Sequence, residues 1–305
     1  RGILYKGGSF FEEAPKVDRI AFDKTGTLTS GSPHVKHVEG DILWIAAALE
    51  NHTNHPLAKA ILEAHKDPVK EAHDVKQIIG LGISGVIENE TYHIGSETYM
   101  ASLKHKHVFD VEKHLNDGHT VIFVANESQI LGYIVIYDPI KKDIPKLIKD
   151  LQANHLEPVM ITGDQEKTAQ SIAASLGIKE VYANVMPKDK ASIIQKLQSK
   201  GHHVAFVGDG MNDAPALKIA NIGFAVKSGH DVALDASDVT LMHHNMSLVM
   251  DALDLSKATL KNIKINFLWA FLYNIILIPV AAFGLLNPSL AGIGMAFSSI
   301  MVVLN

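Results

Sequence analysis

At 305 residues the chain is long enough for about two domains, each burying a core of its own. A formal net charge of −5 without any dense basic stripe argues against nucleic acid as a partner. The absence of cysteine excludes disulfides and Cys-ligated metal within these residues, and a hydrophobic content of 47% is high for a soluble protein.

In chain order, Val17–Phe22 predicts a short buried strand that delivers Asp23 to its carboxyl end, where open α/β sheets gather reactive groups. From about Ser30 to Tyr137 the pattern changes. Helices are expected over Ile42–Leu49 and Pro56–His65, followed by short strands separated by glycines near Gly80, Gly82, Gly85, Gly95 and Gly132. This predicts an α+β domain inserted into the parent sheet and hinged as a lid. The parent pattern then resumes. Leu156–Ile161 runs into Thr162-Gly-Asp164, and His203–Val207 into Gly208-Asp-Gly210. Helices are expected over Ile144–Ala153, Glu166–Leu176 and Lys188–Lys200, giving a parallel sheet with right-handed crossovers.

The tail is different again. Ile265–Leu286 contains no charged residue and spans roughly 33 Å as a helix, enough for a bilayer core. Leu290–Leu304 is a second apolar stretch, shorter by a few residues. Lys257, Lys261 and Lys264 precede the first, which places its start on the cytosolic side. Arg1 at one end and an apolar run at the other read as cuts in a longer protein. The expected division is therefore a discontinuous parent domain (1–30 and 138–255), an inserted domain (31–137) and two terminal membrane helices (256–305).

The chemistry-bearing residues gather at the strand ends. Asp23 is a candidate nucleophile: a carboxylate that attacks the γ-phosphorus of ATP forms an acyl phosphate and divides a hard transfer into two steps. Such an attack brings anions together. Asp209 and Asp213 supply hard oxygen ligands for Mg²⁺, Lys190 a cation for the phosphoryl oxygens, and the Thr162 hydroxyl a hydrogen bond to one of them. The role of Lys24 stays open. Seventeen histidines, scattered through polar segments without a ligand-like repeat, do not predict a histidine metal site.

The blocks Asp23-Lys-Thr-Gly-Thr-Leu-Thr29, Thr162-Gly-Asp164 and Gly208-Asp-Gly-Met-Asn-Asp-Ala-Pro215 resemble the signatures of P-type ATPases, within the haloacid-dehalogenase-like fold. The resemblance runs over nearly the whole chain, including Lys6-Gly-Gly and Asp138-Pro139. It implies that Asp23 is the phosphorylated aspartate and that Asp23, Asp209 and Asp213 hold Mg²⁺. Phosphatases of this fold resemble Asp-x-Asp, whereas the second position here is Thr25, so no local general base hastens loss of the phosphoryl group. Glu50, His55-Pro56 and Gly80-x-Gly82 are similar to the ATP-binding domain of the heavy-metal branch, with Asn54 departing from its commoner residues. An imidazole stacks on adenine, and glycines let the backbone approach a nucleotide.

Tyr273-Asn274 and Met295-x-x-Ser298-Ser299 resemble the paired membrane motifs of Cu⁺ and Ag⁺ pumps. A thioether suits a soft monovalent ion, and neither span carries the carboxylate or lysine that Zn²⁺ or Cd²⁺ pumps use. The bland alternative is that Met295 fills space and the serines pack helices. The resemblance further implies a multi-pass membrane translocase with cytoplasmic catalytic domains. Its implied partners are membrane lipid, the transported ion, a copper chaperone and the remainder of the pump, namely an actuator domain and earlier helices. Pumping of silver or a divalent metal, a soluble acyl-phosphate phosphatase and a non-catalytic nucleotide-binding fragment remain as alternatives.

Overall fold

The structure, a computed structural model, describes residues 2–53, 55–78, 80–106, 109–209, 213–226, 235–243, 245–284 and 288–304. Asn54 and the Gly210-Met-Asn212 part of the third signature block lie outside these residues. The thirteen described strands run β1 (Ile3–Tyr5), β2 (Arg19–Asp23), β3 (His34–Glu39), β4 (His73–Ile78), β5 (Gly82–Ile87), β6 (Glu90–Gly95), β7 (Thr120–Asn126), β8 (Ile130–Tyr137), β9 (Glu157–Ile161), β10 (Glu180–Tyr182), β11 (Val204–Gly208), β12 (Ile222–Val226) and β13 (Val239–Leu241).

They form two sheets. The first has the order β1-β13-β12-β11-β2-β9-β10 and is parallel except for β1. Its central strands are apolar throughout because both faces are covered. In β2, Ile20 and Phe22 point into one core with the helices Ile144–Ala153 and Glu166–Leu176. The intervening Ala21 points into the other, with residues of Lys190–Ser199 and Ala214–Ile219. β11 repeats the alternation with Ala205 and Val207 against Val204 and Phe206. Strand periodicity of two thus locks β2 and β11 side by side with their carboxyl ends together.

The second sheet is antiparallel, with the order β3-β8-β7-β6-β5-β4. Its helices Leu43–Glu50 and Pro56–Ala64 cover one face. Two expectations need correction here. The segment opens with β3 and not with a helix; a register shift between Val35 and His37 breaks the alternation that would have announced a strand. Gly82, Gly85, Gly95 and Gly132 lie within strands and not between them. Gly82 pairs with Gly95, and the Tyr99 ring packs over both, so that a Cβ on either would come within 2.7 Å of Tyr99 Cδ1.

The two connections between the sheets are fastened to each other. Thr29 bridges Ile140, the Ser30 N–H donates to the Pro139 carbonyl, and the Lys141 N–H donates to the Leu28 carbonyl. The hydroxyls of Thr29 and Ser30 donate to the Asp138 carboxylate at 2.6 and 3.0 Å.

The long terminal helix, Leu248–Ala282, starts well before the apolar run that announced it. Leu248, Val249, Ala252 and Leu253 are buried in the parent core, and Ser256 Oγ donates to the Phe11 carbonyl at 3.1 Å. Beyond them the helix leaves the core, and its most apolar 18 residues have a mean hydropathy of 1.9 with none buried. It is long and apolar enough to cross a bilayer. Pro288–Leu304 is a second, shorter apolar helix.

Candidate active site

Asp23 ends β2 and lies beside β9, where its Cα partner is Ile161. The chain then turns through Lys24–Leu28, with Thr25 extended and Gly26 at φ +76°. Gly26 is required for more than its dihedral. A Cβ at that position would occupy the space of Asp209 Oδ2, so the glycine seats the carboxylate arriving from the end of β11.

Three carboxylates converge. Asp23, Asp209 and Asp213 each present an oxygen, all within 4.8 Å of one another, and they form the one such acidic group among the described residues. Lys190, the first residue of its helix, bridges Asp23 Oδ1 and Asp213 Oδ1 at 2.7 Å each. Burial first, and then the Asp213 charge, raise the Asp23 pKa to about 7 against the opposing pull of Lys190. Burial likewise raises Asp209 to about 6, with Asp213 adding to it and Lys141 and Lys190 opposing. Burial works against the charge on Lys190, but Asp23 and Asp213 outweigh it and hold its pKa above the ordinary value.

Fully ionised, the three hard carboxylates outnumber the two cations acting on them, Lys190 and Lys141, and the Thr27 hydroxyl is fully buried with no partner among the described residues. This donor set fits Mg²⁺, which takes oxygen ligands and brings phosphate with it.

Two neighbouring lysines complete the setting. Lys24, whose role the sequence left open, pairs with Asp164 at 2.6 Å, both largely buried. Thr162 is buried and accepts the Asp164 N–H on Oγ1 at 3.1 Å, which leaves its own hydroxyl proton to donate. Lys141 was not singled out by sequence reasoning. It lies in an ordinary-looking Lys-Lys-Asp run, and its only signal is its place just after Asp138-Pro139. Its Nζ donates to the Gly26 carbonyl, and burial lowers its pKa, with Asp209 the leading opposing charge.

The remaining candidate residues belong to other parts of the molecule. Glu50 ends its helix, and burial raises its pKa to about 7. His55 caps the next helix by accepting the Leu57 N–H on Nδ1 at 3.3 Å. Accepting there requires an imidazole without a proton on Nδ1, and desolvation lowers its pKa accordingly. Gly80, at φ +75°, lies against the loop that follows β10: a Cβ would lie 3.5 Å from Met186 Cε, just ahead of the turn Pro187–Asp189. In the terminal helices Asn274 Nδ2 and Ser299 Oγ each donate to a carbonyl one turn back, at 3.1 Å, and Met295 is exposed. Tyr273 and Ser298 are helical, and their side chains lie outside the described residues.

Residues 17–221 match the family model for haloacid dehalogenase-like hydrolases. The chain also superposes on the catalytic domain of a CPx-ATPase with a TM-score of 0.67 and 30% identity, covering 84% of this chain and 95% of that one. The chain belongs to the heavy-metal P-type ATPases, a branch of the haloacid dehalogenase-like hydrolases. Among curated members of this family it is 42% identical, over its full length, to a copper-exporting P-type ATPase of Staphylococcus haemolyticus. It is equally 42% identical to a probable copper-importing P-type ATPase A of Enterococcus hirae. It spans only 39% and 43% of the lengths of those relatives. A zinc-transporting PIB-type ATPase in its E2·Pi state gives a TM-score of 0.70 at 32% identity over 99% of this chain and 51% of that structure.

Proposed function

We propose that this P-type ATPase chain is the phosphoryl-transfer machinery and membrane tail of an ATP-driven heavy-metal pump, with Cu⁺ as the transported ion. The observation that carries the reading is the Asp23–Lys190–Asp213 bridge at the carboxyl ends of β2 and β11, with Thr25 where a phosphatase needs its second acid. An Asp23 oxygen bonds to the γ-phosphorus of ATP as the bond to the β,γ-bridging oxygen breaks and ADP leaves. Lys190 and the Thr162 hydroxyl face the phosphoryl oxygens, and Lys24, tied to Asp164, orders the turn around the nucleophile. Asp23, Asp209 and Asp213 would hold Mg²⁺, whose charge would let anion meet anion. With Thr25 unable to act as a base, the acyl phosphate persists until another part of the pump directs water to it.

The division into a parent domain (1–30 and 138–255), an insert (31–137) and a membrane tail (256–305) is supported by the pairing of Thr29 with Ile140 and by the exit of the long helix from the core. Glu50, His55, Gly80 and Gly82 form the adenine-binding part, and a neutral imidazole at His55 suits stacking on a base. The catalytic domains face the cytosol and the whole protein crosses the membrane several times. Copper, rather than silver or zinc, is supported by the thioether of Met295 and by the names of the two bacterial relatives.

The test is Asp23→Asn in the full-length protein, incubated with γ-labelled ATP. The amide keeps size and hydrogen bonding but is a poor nucleophile, so acid-stable, hydroxylamine-labile label should vanish. Undiminished label in the variant would remove Asp23 as acceptor and the reading with it.

A further inference from the structure

The long helix Leu248–Ala282 changes character over a short length, and the change is organised on one face. Lys257, Lys261 and Lys264 recur at spacings of four and three, which brings them within about 60° of arc on an α-helix. Leu268 continues the same stripe one turn further on, about 16 Å from Lys257 along the axis. Pro15, in the turn that follows the short helix Ser9–Glu13, closes the side. The result is a groove of about 460 Å³ lined by Pro15, the three lysines, Leu260, Ile265 and Leu268, cationic at one end and apolar at the other.

The lysines have no counter-charge among the described residues. Lys16, next to Pro15, is already paired with Glu13 at 2.7 Å, and Asp254, one turn above Lys257, forms no ion pair with it. Lys257, Lys261 and Lys264 are exposed, and the uncharged run that follows Lys264 places them at the level where a bilayer presents its headgroups. Any occupant must therefore bring negative charge at the lysine end and hydrocarbon at the Leu268 end.

We propose that this groove binds an anionic phospholipid of the cytosolic leaflet, its phosphate on Lys257, Lys261 and Lys264 and its acyl chain along Ile265 and Leu268. The inference rests on the reading that the helix spans a membrane. It also has a consequence for the catalytic part. The wall carrying Pro15 follows Phe10 and Ala14, both buried in the parent core, and Ser256 is hydrogen-bonded to the Phe11 carbonyl. A bound headgroup thereby fixes the height of the phosphoryl-transfer domain above the membrane.

The experiment uses the full-length pump in nanodiscs of phosphatidylcholine with a minor fraction of phosphatidylglycerol, without nucleotide or metal ion, and measures co-purifying lipid by mass spectrometry. The wild type should retain phosphatidylglycerol selectively. Combined Lys257→Gln, Lys261→Gln and Lys264→Gln should lower that selectivity at least tenfold, since juxtamembrane lysines together contribute on the order of 100-fold. The corresponding Lys→Arg variant should restore it, and added inorganic phosphate or glycerol phosphate should not compete. Equal retention by the Gln variant, or full displacement by inorganic phosphate, would overturn the proposal. Resistance to alkaline carbonate extraction of this chain expressed without the helices of the rest of the pump reads insertion of the helix separately, so a failure of the spanning reading is distinguishable from a failure of the lipid site.

Discussion

Asp23 and Asp209 are carboxylates whose burial favours the protonated form, and this gives the protein a pH dependence of definite sign. With a pKa of about 7 in the folded chain against 3.8 for the free group, Asp23 binds more protons folded than unfolded. Its contribution to stability is therefore greatest in acid and is lost as pH rises between about 4 and 7. Asp209, at about 6, acts in the same direction. The proposed Mg²⁺ would bind the ionised forms, so its stabilising effect should grow across that window. We expect the thermal shift produced by Mg²⁺ to be several degrees larger at pH 8 than at pH 5.5, as read by calorimetry. Without Mg²⁺, Asp23→Asn should melt a few degrees above wild type at pH 8, each kcal/mol being worth about 2–4 °C in a domain of this size. The gap should narrow at pH 5.5 and close only below about pH 4, under both pKa values. Lys141 belongs to the same balance, because it opposes the rise at Asp209. Lys141→Met should move the acid limb of ATP-dependent phosphorylation to higher pH, and Lys141→Arg should leave it in place; an unmoved limb in the Met variant would reduce Lys141 to a tether for Gly26. Asp23, Asp209 and Lys190 are legible in sequence because a strand end, a turn and a helix start fix where each side chain lies. Lys141 is not, because its place depends on how two distant linkers pair.

The elements repeat that contrast. Helices Ile144–Ala153 and Glu166–Leu176 stand where their apolar spacing puts them, since one face packs on the sheet and the other meets water. β3 is hidden by its register shift, and the start of the long helix by the change from a core-facing to an outward-facing surface within one continuous element. Glycines mark the second sheet correctly but for a different reason: they admit neighbours rather than end strands. Gly82→Ala should accordingly destabilise that sheet by about 1–3 kcal/mol, the usual cost of overpacking, measured by urea unfolding. At the head of the helix Pro56–Ala64, His55→Ala removes a cap and, on the proposed reading, the ring that stacks on adenine. It should weaken ATP binding while leaving phosphorylation by inorganic phosphate intact, because the latter needs only the parent sheet. Equal loss of both would make His55 structural.

On the scale of the whole molecule, segments flanking the two sheets meet away from the linkers as well. Thr168 Oγ1 donates to the His119 carbonyl at 3.1 Å, Lys167 pairs with Glu112 at 3.1 Å, and Gly80 faces Met186. The proposed transported ion belongs to this scale too, since on that reading the tail acts within a complete pump. There, Met295→Leu keeps volume and loses sulfur, and Met295→Ser loses both. If the thioether is a ligand, each should abolish Cu⁺-stimulated hydrolysis while phosphorylation by inorganic phosphate continues. Unchanged Cu⁺ affinity in the Leu variant would make Met295 a packing residue. The fastening of Thr29 and Ser30 to Asp138 has one more consequence, which concerns chain entropy. A segment whose two ends are stitched together imposes on its host only the cost of closing a loop, and that cost grows with the logarithm of length. The inserted sheet is thus nearly free of charge to the fold that carries it: a short glycine–serine tether between Ser30 and Asp138 should leave the parent sheet able to fold, to hold Mg²⁺ and to accept phosphate from acetyl phosphate, a donor with no adenine to recognise.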